Sequence, residues 1–500
     1  MMETLGLLGH GLFVVLTPEN LLLCLLGAVF GTLIGVLPGL GPVATISLLM
    51  PITFSLDPIG AIIMLSGIYY GAQYGGSTTA ILVNIPGEST SVVTAIDGYK
   101  MAQQGRAGDA LAIAAIGSFI AGCFGTLIIA FAGPPLAKVA QQFTSPEYFS
   151  LMVFGLVAAV VLANGSLISA LAMIFLGLLL GMVGMDVNTG AARMTFGLIE
   201  LSDGISFVAM ALGLFGVAEV ICNLEDAATR GLNSSRIGRI WPTRDVLKSA
   251  RGAIARGTLL GSLFGILPGG GATMASFSSY ALEKRVAKDR SRFGRGAIEG
   301  VAGPEAANNA AAQTSFIPLL TMGLPTSATM ALMIGALTLH GIAPGPNVIV
   351  RQPDLFWGLI VSMFVGNVML VIINLPMIGL WVKLLQIPYR LLFLFIVVIS
   401  AIGVYSVNNS PFDIYLMIGF GLLGYLLRKF NAEPAPMLMG FVLGPMLEEN
   451  FRRAMLTSRG DLMIFVERPI SLGLLIISVL LIISIALPSV RAGREDVFQE

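Results

Sequence analysis

Apolar stretches of about 17 to 25 residues recur along this chain from residue 21 to residue 487, and each is long enough to cross a bilayer. No other feature narrows the choice of folds so far. In hydrocarbon the backbone N–H and C=O groups must be satisfied within the segment, so stretches of this length must be helices. Composition agrees. Of the 500 residues 56% are hydrophobic and 11% charged, well below the roughly 25% charged residues of a soluble domain. The sequence predicts an all-α polytopic membrane protein in a lipid bilayer.

Several classes fall away at once. A net charge of zero argues against a nucleic-acid or polyanion partner. Cys24, Cys123 and Cys222 lie in or beside apolar segments at unrelated spacings and read as small packing residues without a disulfide or metal framework. His10 and His340 are the only histidines, which excludes a multi-histidine centre. The N-terminus lacks the cationic stretch of a signal peptide, so 5–16 reads as a short interfacial helix. Trp241, Trp357 and Trp381 read as interface aromatics.

Charge sets the topology. No Lys or Arg precedes Lys100, whereas Arg236, Arg239, Arg244, Lys248 and Arg251 form one basic run and Lys284, Arg285, Lys288, Arg290, Arg292 and Arg295 another. Both are cytoplasmic under the positive-inside rule. The apolar stretch between them, 257–280, is broken at Leu267-Pro268-Gly269-Gly270-Gly271. A segment that starts and ends on one side cannot span. It is expected to enter, turn at Pro-Gly and return as two half-helices of roughly ten residues, about 15 Å each. The stretch around Leu37-Pro38-Gly39 has the same anatomy between Glu19 and Asp57 and is expected to dip in from the opposite side.

The two breaks are related. Gly31-x-x-x-Gly35-x-Leu37-Pro38-Gly39-x-Gly41 recurs as Gly261-x-x-x-Gly265-x-Leu267-Pro268-Gly269-x-Gly271. The expected architecture is an inverted-topology repeat, each half a re-entrant helical hairpin followed by about five transmembrane helices. Residues 1–225 form the first repeat (hairpin about 18–56), 226–256 a cytoplasmic linker, 257–450 the second repeat (hairpin about 257–280), and 451–500 an extra transmembrane helix and tail. After each hairpin a helix is expected to be interrupted by small and polar residues, at 70–79 and at 308–315. Paired interruptions in two halves point to a transport site at their interface.

Broken helices leave free N–H groups at one end and free carbonyls at the other; the former favour anions and the latter cations. Candidate ligands for a small organic anion are Gly39, Gly41, Ser77, Thr78, Thr79, Asn84, Gly269, Gly270, Gly271, Asn308, Asn309, Gln313, Thr314, Thr326 and Ser327. Leu37, Pro38, Leu267 and Pro268 form the hairpin tips. Gly35, Gly265, Pro86, Pro325 and Glu305 are candidates to hold a coupling cation, sodium or a proton. Each has a plainer reading. Gly-x-x-x-Gly commonly serves helix packing, and Ser or Thr hydroxyls back-bond within their helix. Glu305 is either a protonatable coupling group or, the reading favoured, an interfacial anchor. Glu88 reads as a residue of the cytoplasmic mouth. No Ser–His pair, two-acid dyad or zinc set stands at membrane depth, so neither an enzyme nor a cofactor is expected.

The runs Gly35-Val-Leu-Pro-Gly-Leu-Gly41, Tyr70-Gly-Ala-Gln-Tyr-Gly-Gly-Ser77, Asn84-Ile-Pro-Gly-Glu88 and Gly323-Leu-Pro325 resemble the large membrane subunit of the tripartite tricarboxylate transporters. The resemblance implies a bacterial inner-membrane uptake system driven by an ion gradient. A periplasmic solute-binding protein would capture a di- or tricarboxylate such as citrate, and a small four-helix membrane subunit would accompany this chain. A stand-alone permease or channel, and an intramembrane enzyme, are the competing classes.

Overall fold

A computed structural model describes residues 2–37, 41–162, 166–186, 189–226, 241–269, 271–384 and 389–486. Pro38, Gly39 and Gly270 lie outside the described residues. The described residues are mostly helical, and among them five helices are long and apolar enough to cross a membrane: Pro18–Val36, Ala107–Ala140, Phe207–Glu225, Pro353–Asn374 and Pro411–Lys429. It is a multi-pass membrane protein.

The first half opens with α1 (Met2–Val15) and α2 (Pro18–Val36), whose Pro at the first turn fits a position that needs no N–H. After the Leu37 break come α3 (Pro42–Thr53) and α4 (Pro58–Val83). Asp57 caps α4 by accepting from Ile59 N at 3.1 Å. Next are α5 (Val92–Gln103), α6 (Ala107–Ala140), α7 (Ser145–Leu162) and α8 (Leu167–Gly181), then a two-residue β-ladder pairing 184–185 with 192–193. α9 (Phe207–Ala211) runs through a π turn into α10 (Ala218–Asp226).

The second half begins at α11 (Arg244–Ile266), capped by Thr243, and turns into α12 (Gly271–Val286). α13 (Glu299–Thr314), α14 (Phe316–Met322), α15 (Ala328–Leu339) and α16 (Asn347–Arg351) follow. Then come α17 (Pro353–Asn374), α18 (Ile378–Leu384), α19 (Tyr389–Asn408) and α20 (Pro411–Lys429). α21 (Ala435–Thr457), α22 (Ile464–Glu467) and α23 (Pro469–Ala486) end the described chain.

Glycine builds the tightest contacts. A Cβ on Gly27, Gly31 or Gly35 of α2 would overlap the backbone of Met64, Ile68 or Ala72 on α4. On Gly257, Gly261 or Gly265 of α11 it would overlap Gly303, Ala307 or Ala311 on α13. For Gly35 and Gly265 the clash with the facing Cα, of Ala72 and Ala311, would be 2.7 Å in both cases. One glycine per turn on one face lets two backbones touch, which is how membrane helices gain dispersion energy where lipid supplies no hydrophobic drive.

Several expectations need correction. The arms of the second hairpin are 23 and 16 residues long, not roughly ten, because the basic turns 244–256 continue the helix into the segment read as a linker. Arg256 Nε and Nη2 donate to Glu283 at 2.8 and 2.5 Å across the base of this hairpin. The first break differs: α3 packs mainly against α4, α19 and the π turn Leu212–Val217 and little against α2. α21 runs to Thr457, past the boundary placed at 450. The polar stretch 70–79 does not interrupt its helix, since α4 is continuous to Val83. In the second half the interruption falls at Ser315, between α13 and α14. Trp357 and Trp381 are core residues, each 2% exposed, with Trp381 Nε1 donating to Ile373 O at 2.9 Å; Trp241 alone of the three is exposed.

Candidate functional site

The breaks fall just after the polar stretches, and the two halves break alike. Leu37 (φ −77°, ψ 120°) and Leu267 (φ −81°, ψ 128°) end α2 and α11 in extended backbone. Each still donates its N–H three residues back, to Ile34 O and Phe264 O. Asn84 (φ 57°, ψ 31°) ends α4 and Gly323 (φ 70°, ψ 24°) ends α14, both left-handed, a region Gly and Asn enter at least cost. Pro follows two residues later, at Pro86 and Pro325. Glu88 (φ −152°, ψ 169°) and Ser327 (φ −155°, ψ 170°) then start the next helical turn as its caps.

These starts meet at one cavity of about 550 Å³. Gly41 to Ala44 come from the start of α3 and Gly271 to Met274 from that of α12. Ser327 to Thr329 open α15, Ala435 and Pro436 open α21, and Glu88 to Val92 lead into α5. Five helices thus present their N-terminal ends to one space. The first backbone N–H groups of each lack an intrahelical acceptor, and the aligned peptide dipoles make such ends electropositive. Tyr69, Gln73, Phe215 and Met439 supply side walls. Arg428, in the last turn of α20, adds a formal cation and is ion-paired with Glu219.

The candidate ligands divide. Gly41, Gly269, Gly271 and Ser327 line the cavity, as does Pro86. Gly269 (φ 83°) donates its N–H to Thr326 O at 2.7 Å, joining the second hairpin to the loop before α15. Thr326 and Pro325 are buried behind that wall. Leu37 and Pro268 are buried beside the breaks, and Leu267 is exposed. Gly35 and Gly265 belong to the glycine contacts and not to the cavity. Asn84 is an exposed helix terminus. Thr79 and Thr314 back-bond to Gly76 O and Ala310 O, and Gln313 is buried against Gly125.

A polar seam runs from the cavity into the helix core. Thr90 Oγ1 lies 2.5 Å from Glu88 Oε1 and 2.9 Å from Gln73 Oε1. Asn308 Nδ2 donates to Thr90 Oγ1 at 3.3 Å. Asn309 Nδ2 donates to Asn308 Oδ1 at 2.6 Å and to Ser118 Oγ at 2.7 Å. One turn back stands Glu305, fully buried, its oxygens accepting from Ser77 Oγ at 2.6 Å and Thr94 Oγ1 at 2.5 Å. Glu305 is therefore no interfacial anchor, because α5 and α6 close over the face of α13 that carries it. Glu88 is half-buried at the cavity wall.

Sequence reasoning missed Arg428, Gln73, Thr90, Thr273 and Thr329 as lining residues. Arg428 stands at the end of an apolar stretch, where it reads as an orientation signal, and nothing in its spacing ties it to the hairpins.

Residues 21–439 match the family model described as the tripartite tricarboxylate transporter TctA family. The chain is 58% identical over 500 residues, the whole of both chains, to an Agrobacterium vitis protein described as an uncharacterized 52.8 kDa protein in the TAR-I ttuC' 3' region. It is also 60% identical over 240 residues, 48% of this chain and 99% of the other, to an uncharacterized protein in the TAR-II ttuC' 3' region of that organism. No solved structure matches.

Proposed function

The chain belongs to the tripartite tricarboxylate transporter TctA family, and from that premise we propose that it is the substrate-translocating subunit of an ion-gradient-driven importer of di- and tricarboxylates such as citrate. The observation that carries this reading is the convergence of five helix N-termini on one cavity. At about 550 Å³ it falls within the roughly 300 to 1,000 Å³ of small-molecule sites. Each helix end is worth about 0.3–1 kcal/mol to a nearby anion, more where water is partly excluded. Since the ends come from both halves of the chain, a ligand with two or three carboxylates can be gripped from both, beside an Arg428 whose charge is already paired with Glu219 at the same wall.

The matched breaks, caps and glycine contacts support an inverted repeat, with both hairpins re-entering from opposite leaflets. In this reading the bilayer is the bacterial inner membrane and the basic segments near Lys248 and Lys288 are cytoplasmic. A periplasmic solute-binding protein delivers the substrate, a small four-helix subunit completes the membrane unit, and neither an enzymatic step nor a cofactor is involved.

Reconstitution tests the proposal. Proteoliposomes holding this chain with its small subunit are expected to take up labelled citrate saturably, only with the binding protein outside and an inward ion gradient. Uptake that ignores the binding protein points to a stand-alone permease. An unsaturable current down the solute gradient identifies a channel and overturns the proposal.

A further inference from the structure

Apart from the large cavity, a second, small void of about 20 Å³ lies where α4, α6, α13 and α17 meet, enough for one water-sized occupant. Glu305, Ser77, Ser118, Tyr74 and Asn374 supply its polar lining, and all five are at least nine-tenths buried. Two of these side chains are left unsatisfied: the Tyr74 hydroxyl and Asn374 Oδ1 have no hydrogen-bond partner. Among the described residues no Lys, Arg or His pairs with Glu305.

Each of these facts is costly by itself. A buried charge without a partner costs several kcal/mol, and an unmade buried hydrogen bond roughly 1–3 kcal/mol. Ser77 Oγ and Thr94 Oγ1 lie 2.6 and 2.5 Å from the two Glu305 oxygens, the short range of hydroxyl donors to an ionised carboxylate. The site is thus arranged around a negative charge, beside an amide oxygen and a phenol oxygen that still need a partner. One small cation answers all three demands.

We propose that this void is a sodium site, with Glu305 as its anionic ligand and Asn374 Oδ1, the Tyr74 hydroxyl and Ser77 Oγ as neutral oxygen ligands. The ligands are hard oxygens, which excludes the soft and borderline metals. One carboxylate and room for one occupant do not suit magnesium, which keeps several waters, or calcium, which takes six to eight oxygens. A monovalent cation leaves the site neutral. The amide chain from Asn309 through Asn308 to Thr90 joins this site to the wall of the large cavity, so ion occupancy and the cavity's shape are mechanically linked. This inference names the coupling ion of the import reading above and rests on it only for the word coupling.

The test uses the purified full chain in detergent without substrate or partner subunits, so its outcome is independent of the uptake assay. The thermal midpoint is followed while sodium chloride replaces choline chloride at constant ionic strength, and again with potassium chloride. Sodium is expected to raise the midpoint saturably, with potassium weaker and choline inert. Glu305→Gln is expected to lose the sodium response. Should that variant not fold, Tyr74→Phe and Asn374→Ala, each removing one oxygen, are expected to weaken apparent sodium affinity about tenfold. An equal response to sodium and choline, an unchanged sodium response in Glu305→Gln or in both single-oxygen variants, or stabilisation that follows pH instead of sodium overturns the proposal.

Discussion

Replacing Thr273 with Glu is expected to reduce carboxylate uptake by at least about a hundredfold while leaving the protein as stable as before or slightly more so. Thr273 stands in the first turn of α12, half-buried at the cavity wall, with its Oγ1 3.0 Å from Ser89 Oγ. An acidic side chain there meets the positive end of the α12 dipole, an interaction worth about 0.3–1 kcal/mol in favour of folding. The same carboxylate occupies the anion site from within the chain, at an effective concentration in at least the millimolar range. It also repels an arriving anion: two unit charges about 4 Å apart interact by roughly 4 kcal/mol at an effective dielectric constant of 20, nearly a thousandfold. Thr273→Gln has the same size without the charge and is expected to keep most activity. Uptake by Thr273→Glu proteoliposomes at the unmodified rate would remove the cavity as the anion site.

Valine at Gly31 or at Gly261 is expected to destabilise the chain by about 3 kcal/mol or more, the upper end of overpacking costs. The added Cβ of Gly31 would lie 2.8 Å from Ile68 Cα and 2.9 Å from Gly71 Cα, and that of Gly261 2.7 Å from Ala307 Cα. These neighbours are main-chain atoms, which cannot turn aside as a side chain can, so the paired helices must separate along their length. The two substitutions are expected to cost similar amounts, because the contact is built alike in both halves. Gly473, in α23, has nothing within 4 Å of an added Cβ; Gly473→Ala is expected to be neutral or to gain up to about 1 kcal/mol from helix propensity. Thermal midpoints of the three variants in one detergent decide the matter, and an unchanged midpoint for Gly31→Val would contradict the packing.

What could be read in the sequence was what depends on the main chain. Leu-Pro-Gly breaks and Gly-x-x-x-Gly frames carry their consequences locally, since proline removes a donor and glycine removes a Cβ wherever they stand. The helix breaks at Leu37 and Leu267, the glycine contacts that follow Gly31 and Gly261, and the place of Gly41, Gly269, Gly271 and Ser327 at the cavity wall followed from them. Burial was harder to read. Glu305, Trp357 and Trp381 look like interfacial residues by type, yet each is covered by helices distant in sequence. The helix α5 was not foreseen because Thr90, Ser91, Thr94 and Asp97 resemble a polar loop; in the fold Asp97 is buried and accepts the N–H groups of Gly296 and Ala297 at 2.8 and 2.9 Å. Arg428 lies some 160 residues from the second hairpin along the chain, and its approach to the cavity is a product of assembly alone.

The glycine rungs have a consequence for motion. Where two helices touch through bare main chain at every turn, no side chain is present to change rotamer and absorb a displacement, so α2 must travel with α4 and α11 with α13. In the import reading the moving parts are then two rigid blocks rather than flexible flaps, and the slip plane is the side-chain-lined space where α3 and α12 look across the cavity toward α21. A covalent tether between α2 and α4 should leave a full transport cycle intact, whereas one from α12 to α21 should arrest it.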